Sequence, residues 1–131
     1  MRHQDLLARI KASIPEWSGW KIEKQYLCSR SNDSSTHTSI GIRYEAVSAR
    51  LNLAKSSAKL AEVAARQFKT RWELNGPEFL GKNEPHVGQR VVYIVRECNP
   101  HTMAFAELRD WCFKWGSLVE LYRREILRLA K

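Results

Sequence analysis

From residue 105 onward, eight apolar residues recur at alternating intervals of three and four: Phe105, Leu108, Cys112, Trp115, Val119, Tyr122, Ile126 and Leu129. That spacing keeps one face of an α-helix apolar for almost four heptads, and a period-two strand cannot carry it. Asn99 is a good N-cap residue, and Pro100 suits the first helical position, where its missing N–H is not needed. The spacing predicts a helix over about 100–130, ~45 Å long at ~1.5 Å per residue. A stripe of that length must be covered by the rest of the chain.

The segment 45–74 offers a second helical period, in Val47, Leu51, Ala54, Ala58, Ala61, Ala65, Phe68 and Trp72. This column is mostly alanine. Small residues let bulky ones approach, so two long helices, about 45–74 and 100–130, are expected to pack flank to flank. Asn75-Gly76-Pro77 supplies a cap and a stop.

Before the first of these helices the chain changes period. Residues 2–13 form a short amphipathic pattern with Leu6, Leu7 and Ile10 on one side, ended by Pro15. From Trp20 the period is two: Trp20, Ile22, Tyr26 and Cys28 alternate with polar residues, as do Thr38, Ile40, Ile42 and Tyr44. The polar run 31–37 between them is a loop, which makes 20–45 a hairpin with a long tip. Val91–Val95 supplies a further strand by its length and β-branching, although Val87, Val91, Ile94 and Cys98 also fit a helix end. The expected fold class is therefore α+β: a three-stranded antiparallel sheet (hairpin about 20–45 plus 91–96), two long helices and a short N-terminal helix. At 131 residues the chain is read as one domain spanning 1–131.

Charge narrows the choice of partner. The formal net charge of +8 favours polyanions, whether nucleic acid, a nucleoprotein assembly or an acidic protein surface. Three cysteines without a Cys-x-x-Cys pair point to a reducing compartment, so a cytoplasmic protein is expected. No uncharged apolar run approaches the ~20 residues needed to span a bilayer, and no membrane partner is expected.

Three short motif matches stand out in the sequence. Gly76-Pro77-Glu78-Phe79-Leu80-Gly81-Lys82 matches a phosphate-binding loop for seven positions, but Asn83 stands where Ser or Thr should hold magnesium, and the match follows a predicted helix rather than a strand. Cys98 and His101 have the spacing of half a zinc site without a second half, so no metal or other cofactor is expected. Arg96 and His101 stand in the R-x4-H spacing of ribonucleases of the HEPN superfamily. That resemblance would make them a phosphate-stabilising and acid/base couple in a metal-independent nuclease. Arg30 and His37 fit the same spacing, and HEPN domains are all-helical where this chain has a hairpin. An enzyme is accordingly the third expectation.

The first is a small non-catalytic protein that engages nucleic acid or a nucleoprotein assembly through a basic helical face. Lys55, Lys59, Arg66 and Lys69 fall within about 80° of one another at ~100° per residue. Arg109, Arg123, Arg124 and Arg128 occupy the polar side of the last helix, with Phe113 among them as a ring that could stack a base. The second is an inhibitor or adaptor whose arginines and five tryptophans meet an acidic protein surface. Self-association through the helical columns is a further option, though Trp and Tyr are bulky for a two-stranded coiled coil.

Overall fold

The computed structural model describes residues 2–29, 36–52, 86–87 and 91–129. It is an α+β fold in which a single antiparallel sheet carries helices on one face. The elements, in order, are α1 (His3–Ser13), a 3-10 turn at Pro15–Trp17, β1 (Lys21–Glu23), β2 (Tyr26–Cys28), β3 (His37–Ile42), β4 (Ala46–Asn52), β5 (His86–Val87), β6 (Val91–Glu97) and α2 (Phe105–Leu129). The strand order is β1-β2-β3-β4-β6-β5.

Register sorts every strand residue onto one face or the other, because successive side chains alternate. Leu27, Ile40, Ala49 and Ile94 stand in one cross-strand row, and Ile42 and Val47 in the next. All six are fully buried in the core shared with the helices. Onto this face α2 lays the column read from the sequence: Leu108, Cys112, Trp115, Val119, Tyr122 and Ile126 are all buried. At roughly 1.5–3 kcal/mol for each fully buried large apolar side chain, that contact dominates the stability of the fold. That stretch of the column is thereby spent on the chain's own core. The N-terminal helix adds Leu6, Leu7 and Ile10 to the same core.

One close contact fixes where α2 lies. Trp17 stacks on Trp20 with ring centroids 4.2 Å apart and planes 10° from parallel. Its six-membered ring rests on Gly116, where a Cβ would come within 2.6 Å of the indole. Glycine in mid-helix is unfavourable by about 1 kcal/mol relative to alanine. Here it is the one residue that lets an indole touch helix backbone.

Three expectations need correction. The region 45–74 does not begin as a helix: Ala46–Asn52 is the central strand β4, paired to β3 on one side and β6 on the other. The spacing of Val47 and Leu51 fits a helix, but Val47, Ala49 and Leu51 also alternate with Ser48, Arg50 and Asn52, and the burial follows that period of two. The partner of α2 is thus a sheet, and the rest of the expected alanine column, from Ala54 on, lies outside the described residues. Second, Trp20–Cys28 is not one strand. A two-residue turn at Lys24-Gln25, with Lys24 at φ 54°, splits it into β1 and β2. The turn reverses the phase, so Leu27 enters the core while Tyr26 and Cys28 face the other way. The sheet consequently has six strands among the described residues, not three. Third, Asn99 does not cap α2. Its Oδ1 accepts from the His101 N–H at 3.0 Å and its carbonyl from Thr102 N, which closes a separate turn before α2 starts at Phe105.

The strand at 91–97 is as the β-branching predicted. No helix among the described residues is long and apolar enough to cross a membrane.

Candidate functional site

The face of the sheet opposite the helices carries the polar residues, and none of the described elements packs on it. Its rows follow from the register. Tyr26, Gly41, Ser48 and Val95 form one, and Cys28, Ser39, Arg50 and Tyr93 the next; His37 pairs with Asn52 in the third. Ser39, Gly41 and Cys28 make a buried floor, while Tyr26, Arg50, Asn52 and Tyr93 stand half-buried above it.

Gly41 decides the arrangement. A Cβ at that position would lie 2.9 Å from Tyr26 Cε1 and 2.8 Å from Ser48 Oγ. Without one, the Tyr26 ring crosses β3 and its hydroxyl accepts a hydrogen bond from Arg50 Nη1 at 2.8 Å. The Arg50 guanidinium then sits between two rings, 5.2 Å from the centroid of Tyr26 and 5.5 Å from that of Tyr93. No carboxylate pairs with Arg50 among the described residues, and its Nε is buried without a hydrogen-bond partner. A cation held by aromatic faces and lacking a counter-ion is arranged to receive an anion.

The Tyr26–Arg50 bar separates two clefts. One, of about 210 Å³, runs past Tyr93, Val95 and Ile42 to Gln25 and Arg43. The other, of about 630 Å³, is lined by Glu23, Lys24, Cys28, His37, Ser39 and Asn52 beside the shared bar.

The residues singled out from sequence lie elsewhere. Lys55, Lys59, Arg66 and Lys69 fall outside the described residues. On α2 the arginines are largely engaged in holding the fold. Arg109 donates from Nε and Nη2 to the Ser13 carbonyl at 3.2 and 3.1 Å, tying α2 to the C-terminal end of α1. Arg123 is buried and clasps Glu120 through Nε and Nη2, at 3.0 and 2.5 Å from Oε1. Arg124 is exposed and reaches the same carboxylate at 3.5 Å. Phe113 is half-buried against the core, 6.2 Å from the Trp17 ring, and Arg109 lies over its other side at 5.7 Å. Only Arg124 and Arg128 remain on an open surface, a groove shared with Leu121 and Glu125.

Arg96 and His101 each have another partner. Arg96 Nη2 is 2.6 Å from Glu107 Oε1. His101 Nε2 is 2.8 Å from His3 Nδ1, one ring donating to the other, and Tyr44 lies against both rings. Burial first, and then the neighbouring His3, hold the His101 imidazole below its ordinary pKa. The three cysteines are free, and burial raises the pKa of each thiol, which suits packing rather than metal or nucleophilic chemistry. No cluster of three metal-ligating side chains occurs among the described residues.

Compared with protein-family models, curated proteins and solved structures, the chain matched none of them.

The sequence reading missed Tyr26, Arg50 and Tyr93. The signal for Arg50 was present: in Ala46–Asn52 it alternates with Val47, Ala49 and Leu51, which puts it with Ser48 and Asn52 on the polar side of a strand.

Proposed function

We propose that this is a small non-catalytic binding protein for nucleic acid, and that single strands bind on the face of the sheet that none of the described elements covers. The observation that carries the reading is Arg50, a cation without a carboxylate among the described residues, held between Tyr26 and Tyr93. Single-stranded nucleic acid offers what such a site lacks. Phosphate supplies the charge, and unstacked bases supply planar faces for the rings. A chain with a net charge of +8 draws such a polyanion in from a distance. Duplex bases are already stacked on one another and have no free face to give.

The test is binding of a fluorescent single-stranded oligonucleotide at several salt concentrations. Affinity falls as salt rises, with a log–log slope of about −0.7 per neutralised phosphate. Arg50→Ala weakens binding about tenfold and makes the slope shallower by about one contact. A protein that does not bind, or binds without regard to salt, removes the reading.

A second reading is favoured by one surface feature. Leu121 on α2 is 55% exposed, beside Arg124 and Arg128. An exposed apolar side chain with two arginines beside it fits an acidic protein partner, as an inhibitor or adaptor would use. Its mark is a stoichiometric protein complex that survives nuclease and is lost in Leu121→Ser.

A further inference from the structure

Resting on that reading, we infer that the sheet face selects RNA over DNA, with Asn52 taking the ribose 2′-hydroxyl in the larger cleft. The bar made by Tyr26 and Arg50 divides the surface into two unequal clefts. The smaller, toward Tyr93, has a ring and the apolar Val95 and suits a base; the larger carries Asn52, an amide able to hydrogen-bond a sugar. A strand crossing the bar sets a phosphate over Arg50, one nucleotide in each cleft.

The larger cleft has a fixed acceptor. Asn52 Nδ2 donates both its hydrogens, to Ser39 Oγ at 2.9 Å and to the His37 carbonyl at 3.3 Å. Those two bonds set the orientation of the amide. Its Oδ1 is left without a partner among the described residues, beside Arg50 in the cleft wall. An acceptor held in one orientation calls for a ligand donor. A 2′-hydroxyl has one and deoxyribose does not, and this hydroxyl is what lets a protein tell the two polymers apart. Ser39 is buried at the base of the same cleft, so the acceptor cannot swing away without breaking its bond to the floor.

The experiment compares three oligonucleotides of one sequence on the unaltered protein: RNA, DNA and 2′-O-methyl RNA. RNA is expected to bind at least tenfold tighter than DNA. The 2′-O-methyl strand, which keeps the sugar pucker and the oxygen but has no hydrogen to donate, is expected to fall to the DNA value. Asn52→Leu should bring RNA down to DNA while leaving DNA binding within twofold. Equal affinity for RNA and DNA, or 2′-O-methyl RNA binding as well as RNA, overturns the inference and leaves nucleic-acid binding standing. If none of the three binds, the inference falls together with the proposed function.

Discussion

Trp17→Ala is expected to cost about 3–5 kcal/mol, the range for deleting a large aromatic from a packed core. Trp17 is 3% exposed, stacked on Trp20 and pressed onto α2 at Gly116. Its loss opens a cavity between the sheet and the helix, which neither rigid element can close. The sharper expectation concerns sign. In the parent chain, Gly116→Ala puts a methyl group 2.6 Å from the indole and 3.1 Å from Ile40 Cδ1, and should cost about 1–3 kcal/mol by overpacking. In the Trp17→Ala background the indole is gone, and the same substitution should gain about 1 kcal/mol from helix propensity. Urea denaturation of the four proteins measures the coupling directly. Equal effects of Gly116→Ala in the two backgrounds would mean that Trp17 does not rest there.

The second large effect centres on Glu120. Its carboxylate accepts from buried Arg123 and lies near Arg124. Burial by itself would raise the Glu120 pKa; hydrogen bonds from Arg123 and Thr38, with the charges of Arg123 and Arg124, outweigh it and hold the carboxyl below its ordinary value. Glu120→Gln keeps the shape but takes the carboxylate charge away from the buried Arg123 guanidinium, with an expected loss of about 3 kcal/mol at pH 7. Replacing the pair together, Glu120→Leu with Arg123→Met, should recover most of it, since an apolar pair has no desolvation cost to offset. The pH dependence follows from the direction of the shift. A depressed carboxyl contributes fully above its unfolded value of about 4.3. That contribution is lost as the pH falls through the lower folded value, where the native state at last takes up the proton. Denaturation at pH 7 and pH 3 should therefore show a smaller acid-induced loss in Glu120→Gln than in the parent; an equal loss would place the acid sensitivity elsewhere.

The helices were legible because their periods are unambiguous. In α2, a three-four column of Leu, Trp, Val, Tyr and Ile has no alternative geometry, and α1 repeats the case in miniature with Leu6, Leu7 and Ile10. The strands were harder for two physical reasons. A two-residue turn such as Lys24-Gln25 leaves the alternation of the sequence intact while exchanging the faces, so Tyr26 was placed with the core residues it turns away from. In Ala46–Asn52, alanine satisfies both a helical and a strand pattern, and what decides for the strand is pairing on both edges, with residues 37–42 and 91–97, which no local window contains. The candidate site inherited both errors. Arginines on α2 looked available because charge alone does not reveal that a backbone carbonyl or a carboxylate already holds the guanidinium. Arg50 looked ordinary because its distinction lies in standing between two rings with no carboxylate paired to it among the described residues.

The bond between Arg109 and the Ser13 carbonyl joins residues 96 positions apart. During synthesis, at about 5–20 residues per second, α1 has left the ribosome roughly 5–20 s before the segment that will hold it exists. For that interval Leu6, Leu7 and Ile10 have the nearby β1–β2 hairpin to pack on but not the long helix that completes their cover.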